Sequence, residues 1–197
     1  MALDTINIVG RGNGCESAPD DNCWGINNII FERSVDIHFD MHHEGRMKPH
    51  QIERRERVIR KTKELDIPVY ACDAVPDSTY VRYPIEDVLR EFPTSHAYFS
   101  NGVCYMIALA LMWDVKELNF YGVNHVRIDM LGEYTIQKPG VDHWLGVCVG
   151  RGIKYNVHGA WSEIGKSLDN RAYGYFLSQE AMVKQYGQKT CAEEQIA

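Results

Sequence analysis

The chain has 197 residues, the length of one domain with a small appendage, and a globule of that size hides about 70% of its extended surface. Hydrophobic residues make up 45% and charged residues 24%, which excludes wholesale disorder. The formal net charge of -6 argues against a non-specific polyanion binder, which carries a basic excess.

No apolar run approaches the roughly 18 residues of a membrane span, so no membrane partner is expected. The opening MALDTINIVG lacks the basic and long apolar regions of a secretory signal. Cysteines at positions 15, 23, 72, 104, 148 and 191 stand singly, with no CxxC pair. Buried thiols in a reducing compartment are used in this way, which points to the cytoplasm.

Residues 6–9 (INIV) predict a first buried strand ending at Gly10, and the following RGNGCESAPDD is a loop by composition. Residues 35–39 (VDIHF) alternate apolar and polar and predict a second strand that runs into Asp40, Met41, His42 and His43. Residues 49–65 place Ile52, Val58, Ile59 and Leu65 among many charges and predict a surface helix opened by Pro49. Its mixed-sign run, ERRERVIRKTKE, reads as a solvated face in preference to a nucleic-acid patch. Residues 67–72 predict a third strand, 84–91 a short helix, and 100–113 the most apolar helix, with Ser100 as its N-cap. Residues 117–121 predict a fourth strand stopping at Gly122, and 123–140 a long connection. A helix over 141–149, a last strand over 153–157 and a surface helix over 178–188 complete the reading. This alternation predicts an α/β fold, a mostly parallel sheet with helices on both faces. Ligands of such sheets sit at the carboxyl ends of the strands.

The candidate site residues follow those ends. Gly10, Gly12 and Gly14 let the backbone approach a ligand closely, and their N–H groups, with Ser17, suit phosphate oxygens. Arg11 is the nearest cation and Asn13 lies within the same loop. The G-x-G-x-G spacing is neither a dinucleotide fingerprint nor a Walker A loop. Trp24 suits either base stacking or the core, and Asn27 and Asn28 offer paired donors and acceptors for a base or ribose edge. Asp40 and His42, just past a strand end, suit general-base chemistry or a divalent metal, although no motif names a metal. Ser100, Asn101 and Gly102 open a helix whose N-terminus suits an anion. Asn124 and His125 follow the fourth strand, with His125 a second candidate base and Gln137 an amide near the same mouth.

Taken together, INIVGRGNGCES, WGINN, SNGVCYMIALAL and ELNFYGVN resemble the Rossmann-like superfamily of bacterial sialyltransferases and hydroxymethylpterin diphosphokinases. DMHH and EYTIQKPGVDHWLGVCVGRG resemble proteins encoded by tailed bacteriophages, for which the location is the host cytoplasm. The resemblance covers about residues 5–157 and implies a nucleotide-binding domain over 1–177 with a helical tail over 178–197. By match, Gly10, Gly12, Gly14 and Ser17 hold phosphate, Asn27 or Asn28 contacts the nucleotide, and residues 100–102 complete the pocket. Two positions depart from the pattern: Glu16 stands where phosphate would approach, and Asn124 replaces the usual aspartate.

The function expected is that of a glycosyltransferase-like enzyme. A nucleotide-activated sugar lies over the glycine loop, and His125 or Asp40 deprotonates a hydroxyl acceptor. The acceptor is left open among a modified DNA base, a glycan and a small metabolite, and a homo-oligomer is compatible with the chain. Two alternatives are a pyrophosphoryl transferase needing Mg²⁺ held by carboxylates such as Asp40, and a non-catalytic protein that sequesters a nucleotide.

Overall fold

The computed structural model describes residues 4–125 apart from 44, 46 and 77, residues 131–159, and residues 162, 164, 165, 178, 181 and 184. The chain divides into two compact units, Met1–Ile164 and Gly165–Ala197. The expected boundary at 177 and the tail helix fall in the second unit, most of which lies outside the described residues.

Seven strands form one sheet: β1 (Thr5–Val9), β2 (Cys23–Ile26), β3 (Ile37–Asp40), β4 (Val69–Ala71), β5 (Tyr80–Arg82), β6 (Glu117–Tyr121) and β7 (Lys154–His158). Their order is β5-β4-β3-β2-β1-β6-β7, and every pair is parallel. The helices are α1 (Pro49–Glu64), α2 (Ile85–Glu91), α3 (Gly102–Met112) and α4 (Leu131–Gly150). The result is a Rossmann-like α/β fold, as the alternating pattern predicts.

A parallel sheet is stable only when both faces are covered, and side chains alternate across it. Ile6, Ile8, Trp24, Phe39, Leu118 and Phe120 point to one face, where α2, α3 and α4 complete the main core. Val9, Cys23 and Val35 point to the other, where Val58 of α1 packs. The chain steps outward from β1 to β5, then returns and adds β6 on the opposite side of β1. That reversal between β1 and β6 is the topological switch point, where a crevice opens beyond the strand ends.

Three expectations need correction. Two strands, β2 and β5, escape the sequence reading: each has three or four residues and polar neighbours, so neither shows a run. Residues 131–140 are not loop but the first half of α4, which continues through Pro139. Gly140 belongs there as a packing glycine, since a Cβ would lie 2.1 Å from Ser100 Oγ and 2.8 Å from the Tyr98 carbonyl. The N-cap of α3 is Asn101, whose side chain accepts from the Cys104 N–H, while Ser100 Oγ donates to the Gln137 carbonyl of α4. No described helix is long and apolar enough to cross a membrane.

Candidate functional site

A cleft of about 1370 Å³ opens at the switch point. It gathers Gly10, Arg11, Gly12 and Asn13 after β1, Asn27 and Asn28 after β2, and His42 after β3. Ser100, Asn101 and Gly102 at the entry to α3, Asn124 and His125 after β6, and Gln137 of α4 close the ring. Gly14, Ser17, Trp24 and Asp40 do not line it. Trp24 is fully buried against Phe39 and Trp113 and serves the core.

The glycine loop is shaped by its neighbour strand. Gly10 N–H donates to the Tyr121 carbonyl and Gly12 N–H to the Gly122 carbonyl, each at 2.8 Å. Gly14 N–H donates to Glu16 Oε2, and Ser17 Oγ donates back to the Gly14 carbonyl. The glycine amides expected to cradle phosphate are thus engaged within the protein. Glycine is required because the β1 and β6 loops touch: a Cβ on Gly10 would lie 2.6 Å from the Gly122 oxygen. Arg11, in the same loop, forms an ion pair with Glu32 at the rim.

On the opposite wall, β3 delivers Asp40 and His42 on one side of the strand end. His42 Nδ1 lies 2.8 Å from Asp40 Oδ1, so in the neutral ring the contact puts the proton on Nδ1 and the lone pair on Nε2. Asp40 also accepts from the Tyr80 hydroxyl at 3.0 Å and pairs with Arg55 at 3.4 Å. Burial raises the Asp40 carboxyl, but the His42 and Tyr80 hydrogen bonds and the charges of His42 and Arg55 outweigh it and hold it below the ordinary carboxylate value. A buried, charged carboxylate thereby orients a half-exposed imidazole in the cleft wall.

His125 is placed differently. Asn101 Oδ1 is fixed by capping α3, so its amide nitrogen is the end that donates to His125 Nε2, at 2.9 Å. Burial, with a lesser push from Lys138 and against Asp142, pulls the His125 ring down to about 4 and keeps it neutral. His125 and Asp40, the two expected bases, are thus both engaged, by Asn101 and by His42, Tyr80 and Arg55 in turn, and His42 is the candidate whose Nε2 is not held by Asp40 or an amide. Asn28 Oδ1 and Asn124 Oδ1 are buried beside the cleft without a protein hydrogen-bond partner, two acceptors suited to a ligand's N–H or O–H groups.

Several cleft residues escape the sequence reading: Gln51 and Arg54 of α1, Phe99, and Tyr105 of α3. The charged run of α1 is not one solvated face, because Arg55 is buried under Asp40 and Arg54 lines the cleft. Arg54 Nη2 stands 3.5 and 3.4 Å from the two ring nitrogens of His42. A point nearly equidistant from both lies on the Cε1 side of the ring and along neither lone pair. Proline at the start of α1 and the three-residue spacing of Gln51 and Arg54 are the signals that could have placed both on one face.

Among the described residues no three His, Cys, Asp or Glu side chains cluster so as to hold a metal ion. Asp40, the carboxylate expected to hold Mg²⁺, has both oxygens engaged by His42, Tyr80 and Arg55.

No family model matches the chain, and neither the curated proteins nor the solved structures contain a significant match.

Proposed function

We propose that the switch-point cleft binds a nucleotide-activated sugar and that His42, oriented by Asp40, is the general base for transfer of the sugar to a hydroxyl acceptor. The observation that carries this reading is the 2.8 Å contact between the buried Asp40 carboxylate and the cleft-lining His42. His42 Nε2 takes the acceptor proton, the acceptor oxygen bonds to the anomeric carbon, and the nucleotide departs with the electrons of the broken carbon–oxygen bond. A positioned base contributes roughly 10²- to 10⁴-fold. The amides of Asn13, Asn27, Asn28 and Asn124 suit base and sugar edges. Phosphate charge is met by the α3 N-terminus, whose Gly102 and Val103 line the cleft.

Incubation with a panel of nucleotide sugars, scored by nucleotide release, tests the reading. Release should fall by about 10²-fold or more in His42→Ala while donor binding persists. A panel with neither binding nor turnover overturns it. The second reading is a non-catalytic nucleotide-binding protein, favoured by the engaged glycine amides, which leave a departing phosphate fewer donors. It predicts a ligand that is bound and recovered unchanged.

A further inference from the structure

We infer that Gln51 and Arg54, with the ring of His42, form an oxyanion subsite on the α1 wall of the cleft. It takes a phosphate or carboxylate group carried by the acceptor beside its reacting hydroxyl. Assigning the anion to the acceptor rests on the proposed transfer reaction; the subsite itself rests on the side chains alone.

Gln51 and Arg54 lie one helical turn apart, and both face the cleft. Gln51 Oε1 accepts the Lys48 N–H at 2.7 Å, which leaves its amide NH₂ as a donor. Arg54 is half-buried and, among the described residues, pairs with no carboxylate. Its neighbours do: Arg11 is paired with Glu32 and Arg55 with Asp40. Glu32 is the one carboxylate lining the described cleft, and Asp40 is shared by His42, Tyr80 and Arg55. The charge of Arg54 therefore has no counter-ion on its own wall. Only Nη2 of Arg54 touches the His42 ring, so the rest of the planar fork is open to an oxyanion.

A cationic fork and an amide donor beside the base, with no carboxylate bonded to either among the described residues, select a negatively charged group with several acceptor oxygens. Because Arg54 lies against the ring whose Nε2 removes the proton, the anion and the reacting hydroxyl are close enough to belong to one molecule. A sugar phosphate and a hydroxy acid both have this chemistry.

The test is a calorimetric titration of the full chain with inorganic phosphate and, separately, with acetate. Wild type should bind one of them saturably. Arg54→Gln should weaken that binding by about tenfold or more, whereas Arg60→Gln, on the exposed part of α1, should stay within about twofold. Arg54→Lys keeps the charge but loses the fork and should fall between them. Absence of saturable binding by wild type, or equal binding by Arg54→Gln, Arg54→Lys and wild type, overturns the subsite. A saturating nucleoside diphosphate then separates the two substrates: phosphate binding that persists supports the acceptor, and competitive loss assigns the anion to the donor and overturns that part. No turnover is read, so failure of the transferase proposal leaves this result standing, and the reverse holds too.

Discussion

The side-chain nitrogen of Asn101 stands 2.9 Å from Nε2 of His125, while its oxygen accepts the Cys104 N–H at 3.2 Å. One residue thereby caps α3 and fixes which nitrogen of His125 is the acceptor. Asn101→Ala should cost about 1 kcal/mol through loss of the cap. Asn101→Asp should retain the cap but place a carboxylate against the ring, so His125 should titrate above its value of about 4. Urea unfolding reads the first effect and a proton NMR titration the second. A His125 titration unchanged in Asn101→Asp would show that the two side chains do not meet.

Two histidines, His38 buried and His125 partly buried, set an acid limit on stability. Burial, aided by Arg54 and opposed by Asp40, pulls His38 down to about 4, as burial does His125. The unfolded chain protonates these rings near 6.5 and the folded chain refuses the proton until near 4, so stability is complete above pH 6.5 and declines as pH falls through that window. Each ring contributes at most about 3 kcal/mol to the decline. Unfolding midpoints measured from pH 7.5 down to 4.5 should fall accordingly, and His38→Leu should remove roughly half of the slope. A slope that His38→Leu leaves intact would assign the acid limb to other groups.

Strand ends were legible in the sequence because a polar or glycine-rich cluster after an apolar run is a local signal. That signal places Gly10, His42 and Asn124 around one cleft, and the Asn-rich turn at Asn27 and the helix start at Ser100 join them there. It could not show which way the Gly10 and Gly12 amides face, since that depends on β6, more than a hundred residues away in the chain. Nor could it separate Arg54 from Arg55. Adjacent residues on a helix point about 100° apart, so one enters the cleft and the other lies under Asp40. The short strand β2 is hidden by Asn22 and Asn27, both at positive φ, which read as a continuous turn. In α4, Pro139 and Gly140 mimic a helix stop, but Val141, Trp144, Leu145 and Cys148 bury one face of the helix and outweigh the proline's cost of about 3 kcal/mol.

Glycines of opposite character make a paired prediction. A Cβ on Gly12 would lie 2.6 Å from Asn124 Nδ2 and 2.7 Å from the Gly122 oxygen, and the second contact is backbone that cannot swing away. Gly12→Ala should destabilise by about 1 to 3 kcal/mol and distort the cleft floor. Gly146 is exposed in the middle of α4, with nothing within 4 Å of its missing Cβ. Gly146→Ala should stabilise by about 0.5 to 1 kcal/mol. Thermal unfolding of the two variants, with opposite signs expected, checks both at once; a tolerated Gly12→Ala would mean that the β1 and β6 loops are not in contact.

The Asp40 environment distinguishes loss of a hydrogen bond from loss of a charge. Asp40 and Arg55 both have side chains under a tenth exposed, and the Tyr80 hydroxyl donates to the same carboxylate. Tyr80→Phe removes one donor and leaves the ion pair, so it should cost about 1 to 2 kcal/mol and let the Asp40 carboxyl rise. Asp40→Asn removes the charge, turns an NH₂ group toward other donors and takes one carboxylate partner from the buried Arg55 guanidinium, which should cost about 3 to 5 kcal/mol. His42→Ala leaves the buried pair intact and should alter stability less than either. Urea midpoints at pH 7, compared at equal slopes, rank the three. If Asp40→Asn proves as stable as Tyr80→Phe, the carboxylate is not the counter-ion of Arg55, and the orientation of His42 would need another source.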